Sequence, residues 1–278
     1  MTDRPAQIPA GQTPADQAPV RYESSDGVVT IRLDRPESMN SLDTASKAAL
    51  LAAVRRAAED PAARCVVLTG SGRAFCVGQD LKEHAGNLAS RPLEEVWSTV
   101  AQHYSPIAQA LATMPKPVVA AVNGVAAGAG MSIAMACDWR FAADTASFST
   151  AFAGIGLSCD TGSSWTLQRL VGPTRAMELL LWPRKVEAAE ALELGLVNWV
   201  VPADELAGQV SDAAGRLAAG PSLAFAAIKA SVRYAATHTL EEALAFEAEM
   251  MARTGSSQDH RNAVDAFMAK QRPTFTGT

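Results

Sequence analysis

Apolar and polar residues follow a strand-like pattern in the first half of the chain. Residues 20–34 alternate between the two types on both sides of an SDG tripeptide, which predicts a hairpin or two short strands. Residues 65–69 and 117–122 are continuous apolar runs, as expected of parallel strands that are buried on both faces. Further short strands are predicted at 139–143 and 146–149.

A helical period separates these strands. Residues 43–59 and 94–114 each place apolar side chains on one face of a helix. We expect Asp43 to cap the first helix and Pro106 to kink the second. The glycine-containing segment 70–84 between them is predicted to be a long loop.

From about residue 167 onward the pattern is largely helical. Thr239 and Glu242 have the spacing of a capping box for the last long segment. The predicted helices of this half are 174–181, 186–194, 203–217, 222–237 and 239–270, the last interrupted at Gly255.

The alternation of strands and helices predicts an α/β fold with parallel strands. We assign residues 20–200 to an α/β core and 201–278 to a C-terminal helical region. Residues 1–19 are rich in Pro, Ala, Gln and Asp and are predicted to be a disordered tail.

Composition and charge exclude several classes of function. The chain has 278 residues, 48% of them apolar, and its net charge of −5 argues against nucleic acid or an anionic membrane as the main partner. No apolar run is long enough to span a bilayer, and the opening residues lack the pattern of a secretory signal. The four cysteines form no CxxC pair and have no nearby histidine at metal-ligand spacing. We therefore expect a cytoplasmic protein with buried, reduced thiols and no metal site.

Two glycine-rich loops are the first candidate site. Residues 74–81 (AFCVGQDL) and 124–130 (GVAAGAG) each follow a strand and precede a helix, so both are expected at the carboxyl edge of a parallel sheet. Backbone N–H groups that converge there would form an oxyanion hole for a carbonyl oxygen that gains negative charge. A tight, fully buried strand-to-helix turn explains the glycines of 124–130 equally well. Neither loop has the GxGxxG spacing of a dinucleotide fold.

Ser132 is a second candidate, because GMSIA resembles a nucleophile elbow whose last glycine is replaced by alanine. A serine hydrolase also needs a histidine base. His103 lies on or beside the apolar face of the second helix, and the other histidines, His84, His238 and His260, have polar surroundings typical of the surface. No histidine is thus a convincing base for Ser132.

Asp160 is a third candidate, since it is a single carboxylate in an otherwise uncharged, glycine-rich segment. It can form a turn or cap the helix that starts near Gly162. It can equally be a general base whose pKa is raised by an apolar wall of Phe152, Leu157 and Trp165. Spacing alone favours the turn.

The chain contains four motifs, which are LDRPESMNSLD at 33–43, GSGRAFCVGQDL at 70–81, PKPVVAAVNGVAAGAGMSIAMACDWRFA at 115–142 and FTG at 275–277. Together they resemble the crotonase superfamily, also called the enoyl-CoA hydratase/isomerase family, and the resemblance extends from about residue 20 to the C-terminus. Within that family, the segments around Gln79, Ser132, Asp160 and Arg169 are most similar to the ring-1,2-epoxyphenylacetyl-CoA isomerase branch.

The resemblance implies a fold, a substrate class and an assembly. The fold is a crotonase-like spiral of ββα units, with C-terminal helices that form homotrimers or dimers of trimers. The substrate is an acyl-CoA thioester, so coenzyme A enters as part of the substrate and no separate cofactor is expected.

The resemblance also assigns roles to individual residues. The oxyanion donors are the backbone N–H groups of Gln79 and Ala129. The residues implied to line the thioester and CoA path are Cys76, Val77, Gly78, Asp80, Leu81, Gly128 and Phe152. Arg35 and Lys82 are implied to meet the CoA phosphates, and Phe267 and Lys270 match positions that reach a neighbouring subunit's CoA.

The resemblance changes the interpretation of Ser132 and Asp160. Ser132 and Phe152 occupy the positions of the two glutamates of the hydratases, so ordinary hydration is disfavoured. Asp160 matches the isomerase aspartate, which reverses the preference for a turn, although Cys159 and Ser163 replace a proline and a glycine beside it.

We therefore expect an acyl-CoA isomerase that shifts a double bond or opens a strained ring near the thioester. Asp160 is the expected proton shuttle, and the oxyanion hole would hold the thioester enolate. The alternatives are an enoyl-CoA hydratase, a thioester hydrolase that uses Ser132 or a water, and a catalytically weak acyl-CoA-binding protein.

Overall fold

The computed structural model describes residues 18–278. Most of the predicted disordered tail, residues 1–17, lies outside the described part of the chain. No helix within residues 18–278 is both long and apolar enough to cross a membrane.

Strands from the first 201 residues form two sheets. In chain order they are β1 Val20–Ser25, β2 Val28–Leu33, β3 Cys65–Gly70, β4 Ala74–Cys76, β5 Val118–Val122, β6 Val125–Ala127, β7 Trp139–Ala143, β8 Ser147–Ser149, β9 Val186–Glu187 and β10 Trp199–Val201. The larger sheet has the order β1-β2-β3-β5-β7-β10, and the smaller one has the order β4-β6-β8-β9. Apart from the antiparallel β1–β2 and β8–β9 pairs, neighbouring strands are parallel.

Helices connect the strands and make up most of the C-terminal part. They are α1 Thr44–Glu59, α2 Leu81–Ser90, α3 Leu93–Thr99, α4 Ser105–Thr113, α5 Ala129–Met135, α6 Ser163–Leu181, α7 Ala188–Glu193, α8 Leu206–Ala218, α9 Ser222–Ala235, α10 Leu240–Gly255 and α11 Gln258–Met268. A π-helical turn, Val100–Tyr104, joins α3 to α4.

From β3 to β8, successive strands alternate between the two sheets. The chain passes from β3 to β4, from β5 to β6 and from β7 to β8, and each time it leaves the larger sheet, adds a strand to the smaller one and then enters a helix. This is a spiral of ββα units. The predicted α/β fold with parallel strands and C-terminal helices is confirmed.

The core lies on the larger sheet, where every residue of β3 and β5 is buried. α1 packs against this sheet through residues such as Leu50 and Val54, and α8 packs against it through Leu206 and Val210. α8 therefore belongs to the same packing unit as the strands, whereas α10 and α11 expose most of their residues. The division of the chain at residue 200 stays a prediction.

Several local features match the sequence pattern. β1 and β2 form the predicted hairpin, with Val20 opposite Leu33. The Asp43 side chain accepts a hydrogen bond from the Ser46 N–H at 2.7 Å and caps α1. Thr239 and Glu242 form the complete capping box at the start of α10.

Other expectations were wrong. The predicted loop 70–84 contains β4 and the first turn of α2, and the glycine-rich loop 124–130 contains β6, because strands of three residues are too short to show a period. The predicted helix 94–114 is interrupted by the π-helical turn rather than kinked at Pro106, which lies in the first turn of α4, where proline is tolerated. Segment 186–194 begins with β9 instead of a helix.

Two glycines give a matched test of this packing. A methyl group on Gly124, between β5 and β6, would overlap the backbone carbonyl of Arg73, whereas one on Gly208, inside α8, would meet no atom within 4 Å. We expect Gly124→Ala to destabilise the protein by about 1–3 kcal/mol through overpacking. Gly208→Ala should stabilise it by about 0.5–1 kcal/mol through its better helix propensity. Thermal or urea unfolding of the two variants checks both signs, and a neutral Gly124→Ala would contradict the close contact of these strands.

Candidate active site

A pocket of about 140 Å³ opens beside the two glycine-rich loops. Its walls combine the loop residues with aromatic and apolar side chains from α2, α3, the π-helical turn and the segment before α6. The lining residues are Val77, Gln79, Leu81, His84, Trp97, Thr99, Val100, Tyr104, Gly128, Ala129, Ala151, Phe152, Ile155, Leu157 and Asp160.

The two loops touch because β4 and β6 are parallel neighbours in the smaller sheet. The residues that follow these strands therefore lie side by side. Gly78 has a φ of +82°, and a methyl group there would lie 2.9 Å from the Ala127 carbonyl oxygen and 3.2 Å from the Ala129 nitrogen. Only glycine fits both this conformation and this close approach.

The backbone of Gln79 is oriented by Leu42. The Leu42 N–H donates to the Gly78 carbonyl at 2.7 Å, and the Asp80 N–H donates to the Leu42 carbonyl at 3.1 Å. The groups on either side of Gln79 thus point towards Leu42, which turns the Gln79 N–H the opposite way. Within residues 18–278, neither this N–H nor that of Ala129, the first residue of α5, has a protein acceptor. The two are free to bind a carbonyl oxygen in the pocket.

Asp160 contributes its backbone to a turn and its side chain to the pocket. Its carbonyl accepts hydrogen bonds from the Ser163 N–H at 3.0 Å and the Ser163 hydroxyl at 2.9 Å, whereas α6 is capped by Gly162 without a side-chain bond. The carboxylate lines the pocket and accepts a 2.7 Å hydrogen bond from the Thr161 hydroxyl. Burial raises the pKa of Asp160, and the Thr161 hydrogen bond offsets part of that rise.

Residues 23–278 match the protein-family model described as enoyl-CoA hydratase/isomerase. The chain belongs to the enoyl-CoA hydratase/isomerase family. A protein from Rhodobacter capsulatus described as a probable enoyl-CoA hydratase is 45% identical over 93% of this chain and 98% of its own length. The 1,2-epoxyphenylacetyl-CoA isomerase of Escherichia coli is 39% identical over 90% of this chain and 95% of its own. The crystal structure of an enoyl-CoA hydratase from Bacillus anthracis superposes with a TM-score of 0.88 at 31% identity, covering 94% of this chain and 100% of that one.

Ser132 and Phe152, the two positions at which the resemblance predicts the hydratase glutamates, carry no carboxylate. Ser132 is 1% exposed; its hydroxyl lies 3.0 Å from the Gly128 carbonyl and also contacts the Ser163 hydroxyl, and its single proton is donated to one of the two at a time. It lies off the pocket wall, so a nucleophilic Ser132 has no support in the geometry. Phe152 does line the pocket. Among residues 18–278, Asp160 is the one carboxylate on the wall.

Several predicted binding residues have structural partners instead. Arg35 pairs with Asp43 at 3.1 Å and Asp80 at 3.2 Å, and Asp80 also caps α2 by accepting from the N–H groups of Lys82 and Glu83. Asp80 therefore holds the first loop and does not line the pocket. The Arg35 and Lys82 contacts to CoA phosphates stay predictions.

Cys76 also lies off the wall. It is fully buried, and its Sγ accepts the Gly78 N–H at 3.4 Å. The expectation that Cys76 lines the substrate path is therefore wrong. Phe267 and Lys270, at and just after the end of α11, are exposed and do not line the pocket of their own chain. Their predicted contact with a neighbouring subunit's CoA stays a prediction.

Sequence reasoning missed one wall of the pocket. His84, expected at the surface, lies on α2 and packs edge-to-face against Trp97 with ring centroids 5.4 Å apart. Tyr104, in the π-helical turn, is 2% exposed. Trp165, expected beside Asp160, instead stacks under Arg169 outside the pocket. The period of α2 would have revealed His84 if residues 81–90 had been recognised as a helix.

The four thiols allow a chemical test of this geometry. Burial raises the pKa of Cys65, Cys76 and Cys137 to about 12, which leaves about 10⁻⁴ of each as thiolate at pH 8. Cys159 is half-buried. We expect an aromatic disulfide reagent to modify one thiol per folded chain and four in denaturant, with no fast reaction in Cys159→Ser. Rapid modification of Cys76 in the folded protein would show that β4 is open to solvent.

Proposed function

We propose that the protein is an acyl-CoA isomerase that shifts a double bond or opens a strained ring close to the thioester. One observation carries this proposal: Asp160 is the one carboxylate on the pocket wall among the described residues, and it shares that wall with Gln79 and Ala129. A single base and an oxyanion hole suffice for isomerisation, because the proton that leaves the substrate also returns to it.

In the proposed mechanism, the thioester oxygen accepts hydrogen bonds from the Gln79 and Ala129 N–H groups. Asp160 takes a proton from a carbon α or γ to the carbonyl, and the electrons of that C–H bond form the enolate. The protonated Asp160 then returns the proton at the other carbon. An oxyanion donor contributes about 10²–10³-fold to such a step, and a positioned base about 10²–10⁴-fold.

For a strained ring next to the α carbon, the same enolate electrons expel the ring oxygen or carbon, and the proton on Asp160 is available to the leaving atom. No separate redox cofactor is needed, since the electrons stay within the substrate. The name of the Escherichia coli relative, 1,2-epoxyphenylacetyl-CoA isomerase, is consistent with this class of substrate.

The size and chemistry of the pocket favour a compact acyl group. A cavity of about 150 Å³ lined by apolar side chains binds benzene, and this pocket measures about 140 Å³. Trp97, Tyr104 and Phe152 line it, so we propose a substrate with one ring or a short unsaturated chain. Burial among the same apolar walls raises the pKa of Asp160, which makes its carboxylate a stronger base.

Hydration is the second candidate, favoured by the Rhodobacter capsulatus relative described as a probable enoyl-CoA hydratase. Hydration requires one group to activate water and another to deliver a proton. Asp160 can act as the base or as the acid, but it cannot act as both at once. No observation specifically favours a thioester hydrolase that uses water or a weak acyl-CoA-binding protein.

We further propose that the protein is cytoplasmic and assembles as a homotrimer or a dimer of trimers.

Replacement of Asp160 tests the proton shuttle. Asp160→Asn keeps the shape of the side chain but cannot take a proton, so we expect conversion of 3-hexenoyl-CoA to its conjugated isomer to fall about 10²–10⁴-fold. The dissociation constant for hexanoyl-CoA should stay close to wild type. Asp212→Asn, on the exposed face of α8, is the matched control.

Full isomerase activity in Asp160→Asn would remove the shuttle from the mechanism. Wild-type turnover of crotonyl-CoA by hydration, with no isomerisation of 3-hexenoyl-CoA, would favour the hydratase instead. Binding of both thioesters without any turnover would favour the weak binding protein.

The pH dependence provides an independent test of the same residue. Asp160 must be ionised to act as a base, and burial raises its pKa above the ordinary value of 3.8, so kcat/KM should fall on the acid side with a midpoint above 3.8. Thr161→Val removes a hydrogen bond that favours the ionised form, so we expect this midpoint to move to still higher pH. Thr166→Val, which loses only a bond to the Gly162 carbonyl, should leave it unchanged. If the midpoint of the acid-side fall in kcat/KM does not move in Thr161→Val, that fall reports the ionisation of a group other than Asp160.

A further inference from the structure

Two buried residues hold the side chain of Gln79 through hydrogen bonds. Its Oε1 accepts a hydrogen bond from the Tyr104 hydroxyl at 2.7 Å and another from the Lys47 ammonium at 3.1 Å. Lys47 belongs to α1 and Tyr104 to the π-helical turn, so three separate parts of the chain meet at this amide. Sequence reasoning assigned a role to neither residue.

Lys47 is a buried cation without an ion pair to any described residue. It is 3% exposed, and no carboxylate of the described chain lies within 4.0 Å of its Nζ. Its contacts in that part of the chain are the Gln79 amide and the Tyr104 ring, whose centroid is 5.5 Å away. Burying an ammonium group costs folding free energy unless the charge interacts favourably with its surroundings.

The charged groups around Lys47 have other partners. Asp43 and Asp80 pair with Arg35, and Glu83 accepts hydrogen bonds from the Thr44 N–H and hydroxyl. Burial lowers the pKa of Lys47, while these three carboxylates act in the opposite direction. His103, in the π-helical turn, has its pKa lowered by burial and by the Lys47 charge.

We propose that Lys47 and Tyr104 are positioning residues of the oxyanion hole. They hold Gln79 by its side chain so that its backbone N–H stays directed into the pocket, and Lys47 places a positive charge behind that donor. This inference rests on the proposed function, since it requires the Gln79 N–H to bind the thioester oxygen.

The backbone geometry explains why such a hold is needed. Hydrogen bonds to Leu42 fix the Gly78 carbonyl and the Asp80 N–H. Because a peptide unit is planar, the Leu42 bond to the Gly78 carbonyl also sets the direction of the Gln79 N–H. This orientation depends on one hydrogen bond next to Gly78, whose φ of +82° favours glycine. Anchoring the Gln79 side-chain amide adds a second restraint, and a donor fixed in advance needs no reorganisation when charge develops. A charge in a water-poor site also acts over several ångströms more strongly than in water.

The test uses a thioester whose absorption spectrum reports the polarisation of its carbonyl group. Cinnamoyl-CoA absorbs at longer wavelength when hydrogen bonds polarise its conjugated carbonyl, and this shift requires no turnover. We expect a red shift on binding to the wild-type protein. In Lys47→Met and in Tyr104→Phe we expect the shift to fall by about half or more, and kcat for 3-hexenoyl-CoA to fall roughly 10- to 100-fold, less than loss of a whole donor costs. The dissociation constant for cinnamoyl-CoA should change less than about threefold, because uniform binding is kept.

Lys116→Met is the matched control. Lys116 is also a buried lysine, 8% exposed, but it donates to the backbone carbonyls of Ala57 and Asp60, away from the pocket. This variant should keep the wild-type spectral shift and kcat. If Lys47→Met fails to fold, as judged by its Tm, Tyr104→Phe decides alone, because it removes one hydroxyl and keeps the ring.

The possible outcomes separate the two proposals. A wild-type red shift that survives unchanged in the folded variants would overturn the positioning role and leave the oxyanion hole intact. A wild-type protein that binds cinnamoyl-CoA without any red shift would overturn the oxyanion hole, and the positioning role with it. If Lys116→Met lost the red shift to the same extent, the loss would reflect a general disturbance of packing, and this result would also overturn the proposal.

Discussion

The close contact between β4 and β6 is the constraint on which the site depends. These short parallel strands bring the loops after them so near that side chains are excluded: a methyl group on Gly130 would overlap the Cys76 carbonyl, and one on Gly78 would lie 3.2 Å from the Ala129 nitrogen. Under the proposed mechanism, the Gln79 and Ala129 N–H groups on these two loops would share one oxygen atom. The glycines would then serve packing and chemistry together, and the two explanations of residues 124–130 would not be alternatives.

The polar groups around this contact are divided between holding the loops and facing the substrate. Arg35 joins Asp43, at the start of α1, to Asp80, at the start of α2, so the first loop is fixed at its outer end. Lys47 and Tyr104 fix it from within, through Gln79. Asp160 is thereby left as the one acid on the pocket wall within residues 18–278. A site with many charged neighbours but a single acid suits a reaction in which one proton moves and returns.

The sequence predicted the parts of the fold that carry a long period or a strong local signal. Such signals mark the hairpin, the buried strands β3 and β5, the Asp43 cap of α1 and the capping box of α10. β4 and β6 have none, since three residues cannot establish a period, yet they position the proposed oxyanion donors. Asp160 and the two N–H groups came from the resemblance to a family rather than from spacing. His84 and Lys47 were missed because their roles depend on contacts between α2, α1 and the π-helical turn, which no local pattern encodes.

Two buried serines connect the helix α5 to the turn that contains Asp160. The Ser132 hydroxyl, on α5, bonds to the Ser163 hydroxyl, and the Ser163 hydroxyl in turn donates to the Asp160 carbonyl. Both serines are 1% exposed, and a buried hydroxyl pair is stable only while each partner is present. α5 thus supports the turn that places Asp160 on the pocket wall. Under the proposed isomerase mechanism, α5 would contribute structure instead of an acid, and the proton transfer would belong to the loop before α6.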